Sequence, residues 1–265
     1  MARSSLLHRF LALSSDTRAR VFGMALAVSA VCALVVSAAY VTLSPRIDAN
    51  LAAERSARLD AMIANLPGLQ DLLLDAGADN LESVIVDLRT GLAAVNLPDV
   101  LDSEALIASP ETSTELSPVD DLAGLKRRPD FAEIFLLSSG RELVLAIFPV
   151  YGQGYQSTIK AYVALEGDLN TIAGFTVTEQ GETPGLGSKI TDLTWLSKWP
   201  GKALLDEAGA LKIAVVRGQA QTDYEIDGIT GATRTGNGVS AMMQFWFGPN
   251  GFGPVIDALK AGELR

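Results

Sequence analysis

The first strong pattern along the chain is an absence of charge. From Val21 to Leu43 the sequence VFGMALAVSAVCALVVSAAYVTL holds no charged residue. At about 1.5 Å per residue it measures roughly 34 Å as a helix, enough for a ~30 Å hydrocarbon core. The pattern predicts a transmembrane helix over 21–43. The alternative is a cleaved signal peptide, with Ser37, Ala38 and Ala39 as its processing site, but the apolar run is longer than the usual ~7–15 residue core. Next, residues 44–66 mix small apolar residues with charges and read as an amphipathic connector helix from about Pro45 to Leu66, and Leu69–Asp75 reads as a further helical stretch.

Alternation then replaces helical periodicity. Strands are predicted at Ser83–Leu88, Ala93–Leu97, Glu133–Leu137, Glu142–Val150, Thr158–Leu165, Thr171–Thr178 and Leu211–Val216, punctuated by Arg89-Thr90-Gly91, Ser138 to Arg141 and Gly167-Asp168. Asp99–Asp121, rich in Ser, Pro, Thr and acids, reads as an irregular surface insertion. Helices are predicted at Thr191–Lys198, after Thr235 and after Pro254. Antiparallel strands with helices set apart imply an α+β domain. The organisation is a stub over 1–20, a span over 21–43, a connector over 44–66 and one soluble domain over 67–265.

Charge orients this arrangement. Arg3, Arg9, Arg18 and Arg20 face one acid, Asp16, ahead of the span, which places the N-terminus in the cytoplasm and the domain outside. Removing those residues from totals of 21 basic and 31 acidic leaves 17 against 30, a formal charge of −13 after Arg20. Such a body is no nucleic-acid binder. The single cysteine, Cys32, lies in the span and the single histidine, His8, in the stub. The domain therefore has no disulfide, no thiolate for an iron–sulfur cluster and no ordinary zinc or haem site. No metal ligand and no catalytic side chain is assigned.

Candidate chemistry is concentrated in Asp227-Gly-Ile-Thr-Gly-Ala-Thr233-Arg-Thr235, which runs into the apolar-periodic Val239–Phe247. Gly231 and Ala232 allow close backbone approach, and the hydroxyls of Thr230, Thr233 and Thr235 stand where a helix begins and N–H groups are unpaired. This suits a phosphate; it equally suits an ordinary threonine N-cap beside a glycine turn. A second segment, Glu182-Thr-Pro-Gly-Leu-Gly187, sets a proline and two glycines between strand and helix and reads by itself as a rigid turn. Glu179 and Glu182 read as solvated acids.

In order, these segments, with Val86-Asp-Leu-Arg-Thr-Gly91, the strand VYGQGYQSTIKAYVAL and Trp199-Pro-Gly-Lys202, resemble the C-subunit family of sodium-translocating NADH:quinone oxidoreductases, over most of the chain. The resemblance implies FMN joined covalently, through its phosphate, to Thr233, the final threonine of the Asp-Gly-x-Ser/Thr-Gly-Ala-Thr attachment motif. It implies flavin contacts at Thr183, Gly185, Leu186, Thr230, Gly231 and Ala232, and recognition of Asp227 and Gly228 by a flavin transferase. Where the family often carries Trp, this chain has Tyr155-Gln156, which makes Tyr155 the substitute aromatic partner. The span holds no Asp, Glu, Lys or Arg, and no Gly-x-Gly-x-x-Gly follows a strand, so sodium conduction and NADH binding fall to the other subunits of the complex. The resemblance thus implies an inner-membrane, periplasm-facing electron relay between NADH and ubiquinone, within a complex that exports sodium. Two rival readings are the related G subunit of an ion-translocating ferredoxin:NAD oxidoreductase and a membrane-anchored binding or assembly module without redox function.

Overall fold

A computed structural model describes residue 18, residues 21–43 other than 27 and 39, residues 80–94, residue 101 and residues 103–264. The expected connector helix and the stretch 69–75 lie outside the described residues. The chain divides into two units, Met1–Ala61 and Met62–Arg265. In the first, the apolar run forms one helix, α1 (Val21–Leu43), whose described side chains are almost all exposed in the isolated chain. An uncharged helix of that length with no protein around it has the length and composition of a membrane anchor.

The second unit is built on a five-stranded antiparallel sheet: β1 (Asn80–Asp87), β4 (Phe131–Ser139), β5 (Glu142–Gln153), β6 (Thr158–Glu166) and β7 (Ile172–Glu179), in the spatial order β1-β4-β5-β6-β7. Consecutive strands from β4 onward are joined by short turns at the positions the sequence marks. Along β5 alternation gives way to the buried run Leu145 to Phe148, as a central strand requires. Pro149, which cannot donate to a ladder, lies beyond Ile147, where pairing with β4 stops and only β6 remains as a neighbour.

Against this sheet pack α4 (Thr233–Trp246) and α5 (Gly253–Ala261), which begins with a proline in its first turn and ends at Gly262 with φ +76°. The core between them is aromatic: Phe148 lies 5.0 Å from Phe252, and Trp246, 5.2 Å from Phe252, donates its indole N–H to the Tyr151 carbonyl. A second aromatic group continues along the same face, since Phe148, Val163 and Phe175 lie opposite one another across β5, β6 and β7; there Trp199 stacks on Phe175 at 4.2 Å and Trp195 meets both edge-on. The α+β expectation holds.

Several boundaries differ for tertiary reasons. Residues 99–121 are not wholly irregular: a short helix α2 (Ser103–Ala108) and a strand β2 (Ser113–Glu115) occur there, the strand pairing with β3 (Arg127–Pro129). The single helix expected at 191–198 is two pieces, a 3₁₀ turn over Gly187–Thr191 and α3 (Leu193–Leu196), because Asp192 is extended (ψ 129°). Of the strand expected at 211–216, only β8 (Ala214–Val215) pairs as a strand, in parallel with β9 (Glu225–Ile226). Of the strand expected at Ala93–Leu97, residues 95–97 lie outside the described residues, and Ala93 makes an isolated bridge to Val86.

Candidate functional site

Short-range constraints shape the segment around Thr233. The chain leaves β9 and passes Gly228, whose N–H donates to the Gly218 carbonyl at 2.8 Å; a Cβ there would lie 2.2 Å from the Val216 carbonyl oxygen. Only glycine permits that approach. Asp227 anchors the entry: its carboxylate accepts from the Ala220 N–H and from Lys198 Nζ, both at 2.6 Å, and its carbonyl accepts from the Trp195 indole at 2.9 Å. The Ala220 bond and the Lys198 ammonium hold this carboxyl below the usual carboxylate range. Ile229 is buried, Gly231 turns with φ +81°, and α4 begins at Thr233.

The threonine N-cap reading fails in detail. The N-cap is Ala232, and no side chain caps the helix. Thr233, the first helical residue, is exposed, so its hydroxyl is not used for capping. The opening turn of α4 also presents its unpaired N–H groups and positive dipole end here. Thr230 and Gly231 are exposed, Ala232 is buried and Thr235 is buried.

Across from this turn stands the segment 182–187. Gly185 has φ +73°, and its N–H donates to the Ser188 hydroxyl; the Leu186 and Ser188 N–H groups donate back to the Thr183 carbonyl. The loop is thus rigid, as the proline and glycines predict, and it presents Leu186 outward at 43 % exposure. A cleft of about 350 Å³ lies between the two segments, lined by Tyr155, Thr183, Leu186, Gly187 and the stretch Gly231–Thr235. Tyr155 is 49 % exposed, with the Arg234 guanidinium 5.2 Å from its ring centre. A smaller cavity of about 170 Å³ lies along Gly228–Thr233 beside Arg217 and Asn237.

The structure therefore brings Tyr155, Thr183, Leu186, Gly231, Ala232 and Thr233 to one cleft. Thr230 lines the smaller cavity, Gly185 shapes the loop without lining the cleft, and Asp227 and Gly228 form the entry to the motif. Arg234 escapes the sequence reading, since its role depends on Tyr155, brought near from the turn after β5. Gly187, read in the sequence as part of a rigid turn, also lines the cleft. Glu182 is not a solvated acid: it is only 4 % exposed and its carboxylate accepts from the Thr235 hydroxyl and from the N–H groups of residues 155–157. Glu179, by contrast, is exposed and paired with Lys160 at 2.7 Å.

The donor set fits a flavin mononucleotide. A flat aromatic ring would cover the exposed Leu186 and Tyr155. An exposed threonine hydroxyl at a helix N-terminus stands where a phosphate is stabilised. Gly231 leaves the space between them open, since a Cβ there would come within 3.0 Å of the Leu186 side chain.

Comparison with known proteins agrees with this geometry. The model of the FMN-binding domain family matches residues 154–248, which contain the whole cleft. The Na(+)-translocating NADH-quinone reductase C-subunit of Vibrio alginolyticus is 33% identical over 257 residues, covering 96% of this chain and 100% of that one. The corresponding C-subunit of Yersinia pestis is 34% identical over 240 residues, covering 89% and 90%. The crystal structure of Shewanella oneidensis NqrC matches with a TM-score of 0.63 at 36% identity, over 73% of this chain and 88% of that one. With its order of motifs, its sheet and its cleft all in agreement, the chain belongs to the C-subunit family of the Na(+)-translocating NADH-quinone reductase.

Proposed function

We propose that Thr233 carries FMN as a phosphoester on its Oγ1 and that the chain works as an electron relay in a sodium-translocating NADH:quinone reductase. The observation that supports this best is the position of Thr233: first residue of α4, exposed, not engaged as a cap, and on the rim of a cleft that also presents Leu186 and Tyr155. A bound FMN supplies one- and two-electron transfer at a fixed place. The residues of the chain do the rest. Thr233 tethers the phosphate beside the free N–H groups of α4, while Thr183, Leu186 and Tyr155 bound the ring site and exclude water from its faces. Arg234 holds Tyr155 at the rim. The exposure of Thr233 leaves it open to a flavin transferase acting in trans, with Asp227 and Gly228 presenting the motif.

Helix α1 would anchor the chain in the bacterial inner membrane with the N-terminus in the cytoplasm, so that the flavin domain works in the periplasm. The span carries no Asp, Glu, Lys or Arg, so sodium passage and NADH oxidation belong to partner subunits, with ubiquinone as final acceptor. The test is in-gel flavin fluorescence after denaturing electrophoresis of the chain co-produced with a flavin transferase, followed by peptide mass mapping. Wild type gives a fluorescent band and Thr233→Ala gives none, at equal folded yield. A colourless, properly exported wild type would sink the proposal.

A further inference from the structure

Glu182 lies one layer behind the cleft and is joined to every wall of it. Its Oε2 accepts from the Thr235 hydroxyl at 2.5 Å and from the Tyr155 N–H at 3.2 Å; its Oε1 accepts from the N–H groups of Gln156 and Ser157 at 2.9 and 3.2 Å. One carboxylate thus connects the turn that carries Tyr155, the loop that carries Thr183 and Leu186, and the helix turn that carries Thr233. Two glycines make room for it. A Cβ on Gly154 would stand 2.6 Å from Oε1, and one on Gly187 would stand 2.6 Å from the Thr235 hydroxyl and 2.9 Å from the Glu182 Cβ.

The charge is as informative as the geometry. None of the ion pairs among the described residues includes Glu182. A buried carboxylate without a counter-ion is costly unless donors surround it. Burial pushes this carboxyl upward, but the Thr235 hydroxyl and the three N–H groups outweigh it and hold the group below the ordinary carboxylate range, so it is ionised at neutral pH. A neutral glutamine has one acceptor oxygen and could serve only one of the two donor pairs, so the donor set matches an ionised carboxylate.

We propose that Glu182 is a positioning residue of the flavin site: it holds the three walls of the cleft together before flavin arrives, and its buried negative charge behind Thr235 lowers the reduction potential of the FMN bound there. The inference rests on the assignment of FMN to Thr233. Added electron density in the cleft is opposed by a fixed charge in a medium that screens it poorly. Removing the charge while keeping the shape should therefore ease reduction.

The experiment uses the full-length, detergent-solubilised chain in two forms. Made without transferase, wild type protects the 155–157 amides from hydrogen exchange, Glu182→Ala loses that protection, and Glu182→Gln, whose one acceptor oxygen can take the place of Oε1, keeps it at 156 and 157. Made with transferase, Glu182→Gln carries flavin on Thr233 and its midpoint potential, read from flavin absorbance on the loaded fraction, is more positive than wild type. The expected size is about tenfold in the one-electron equilibrium constant, or ~59 mV. An unchanged potential in loaded Glu182→Gln, or full 155–157 protection in Glu182→Ala, overturns the proposal. A wild type that takes no flavin refutes the assignment of Thr233 itself, and the exchange pattern then decides the clamp independently.

Discussion

Asp227 offers the sharpest separation between a structural role and one in recognition by a transferase. Its carboxylate accepts a 2.6 Å bond from the Ala220 N–H and pairs with Lys198, the two side chains being 27% and 40% exposed. A hydrogen bond to a charged acceptor contributes about 1.5–3 kcal/mol and an exposed ion pair about 0.2–1 kcal/mol. Taking the lower part of the first range for this half-buried site, Asp227→Ala should cost about 2 kcal/mol. Asp227→Asn keeps an oxygen for Ala220 and loses chiefly the pair, about 0.5–1 kcal/mol. In thermal unfolding of the flavin-free chain followed by near-UV circular dichroism, Asp227→Ala should lower Tm by about 4–8 °C, at about 2–4 °C per kcal/mol for a domain of this size.

The pH dependence has a defined sign. Because the folded-state pKa lies below the unfolded value of about 3.9, the carboxylate contributes fully above that value, and its contribution disappears as pH falls through the folded pKa. The gap between wild type and Asp227→Ala should therefore be constant from neutrality to about pH 5 and close in more acid solution. Equal destabilisation by the two substitutions, or an Asp227→Ala Tm within 1 °C of wild type, would refute the reasoning. An Asp227→Asn chain that melts almost as wild type but takes up no flavin would show that the transferase reads the carboxylate directly.

Thr233→Ala should leave Tm within about 1 °C of wild type while abolishing covalent flavin, because an exposed, non-capping hydroxyl contributes little to stability; calorimetry of the flavin-free chain checks this beside the gel. Gly228→Ala forces a Cβ to 2.2 Å from the Val216 carbonyl and should cost about 1–3 kcal/mol with slower flavin loading, whereas Gly231→Ala should cost about 1–2 kcal/mol, chiefly from backbone strain at φ +81°, since the Leu186 side chain 3.0 Å from the new Cβ can shift; urea unfolding of both separates them from wild type. Trp199→Ala removes a fully buried ring stacked on Phe175 and should cost about 3–5 kcal/mol, while Trp199→Phe should recover part of that; urea midpoints give the comparison.

Much of the fold is legible in the residues because its causes are local. Twenty-three uncharged residues can only be buried in a membrane or a protein core, and the apolar run within Glu142–Val150 and the alternation along Thr158–Leu165 match the central and flanking strands that form there. Gly167-Asp168 marks its turn because the Asp168 side chain accepts from the Asn170 and Thr171 N–H groups. The break before α3 is not legible locally, since nothing within Thr191–Lys198 reveals that Trp195 reaches the Asp227 carbonyl, 32 residues away.

For the site, the sequence by itself determined the rigid Pro-Gly loop and a cluster of threonine hydroxyls at the start of a helix, because each depends on backbone freedom within a few residues; the proposal that Thr233 carries the flavin rests on the resemblance to the family. Only the tertiary structure decided that the two segments face one another across a cleft, that Ala232 rather than a threonine occupies the N-cap position, and that Glu182 is buried. Its partners come from a turn about 25 residues before it and a helix 53 residues after it. A carboxylate's environment is a sum over groups that the fold brings near, and that sum has no signature in the residues beside it.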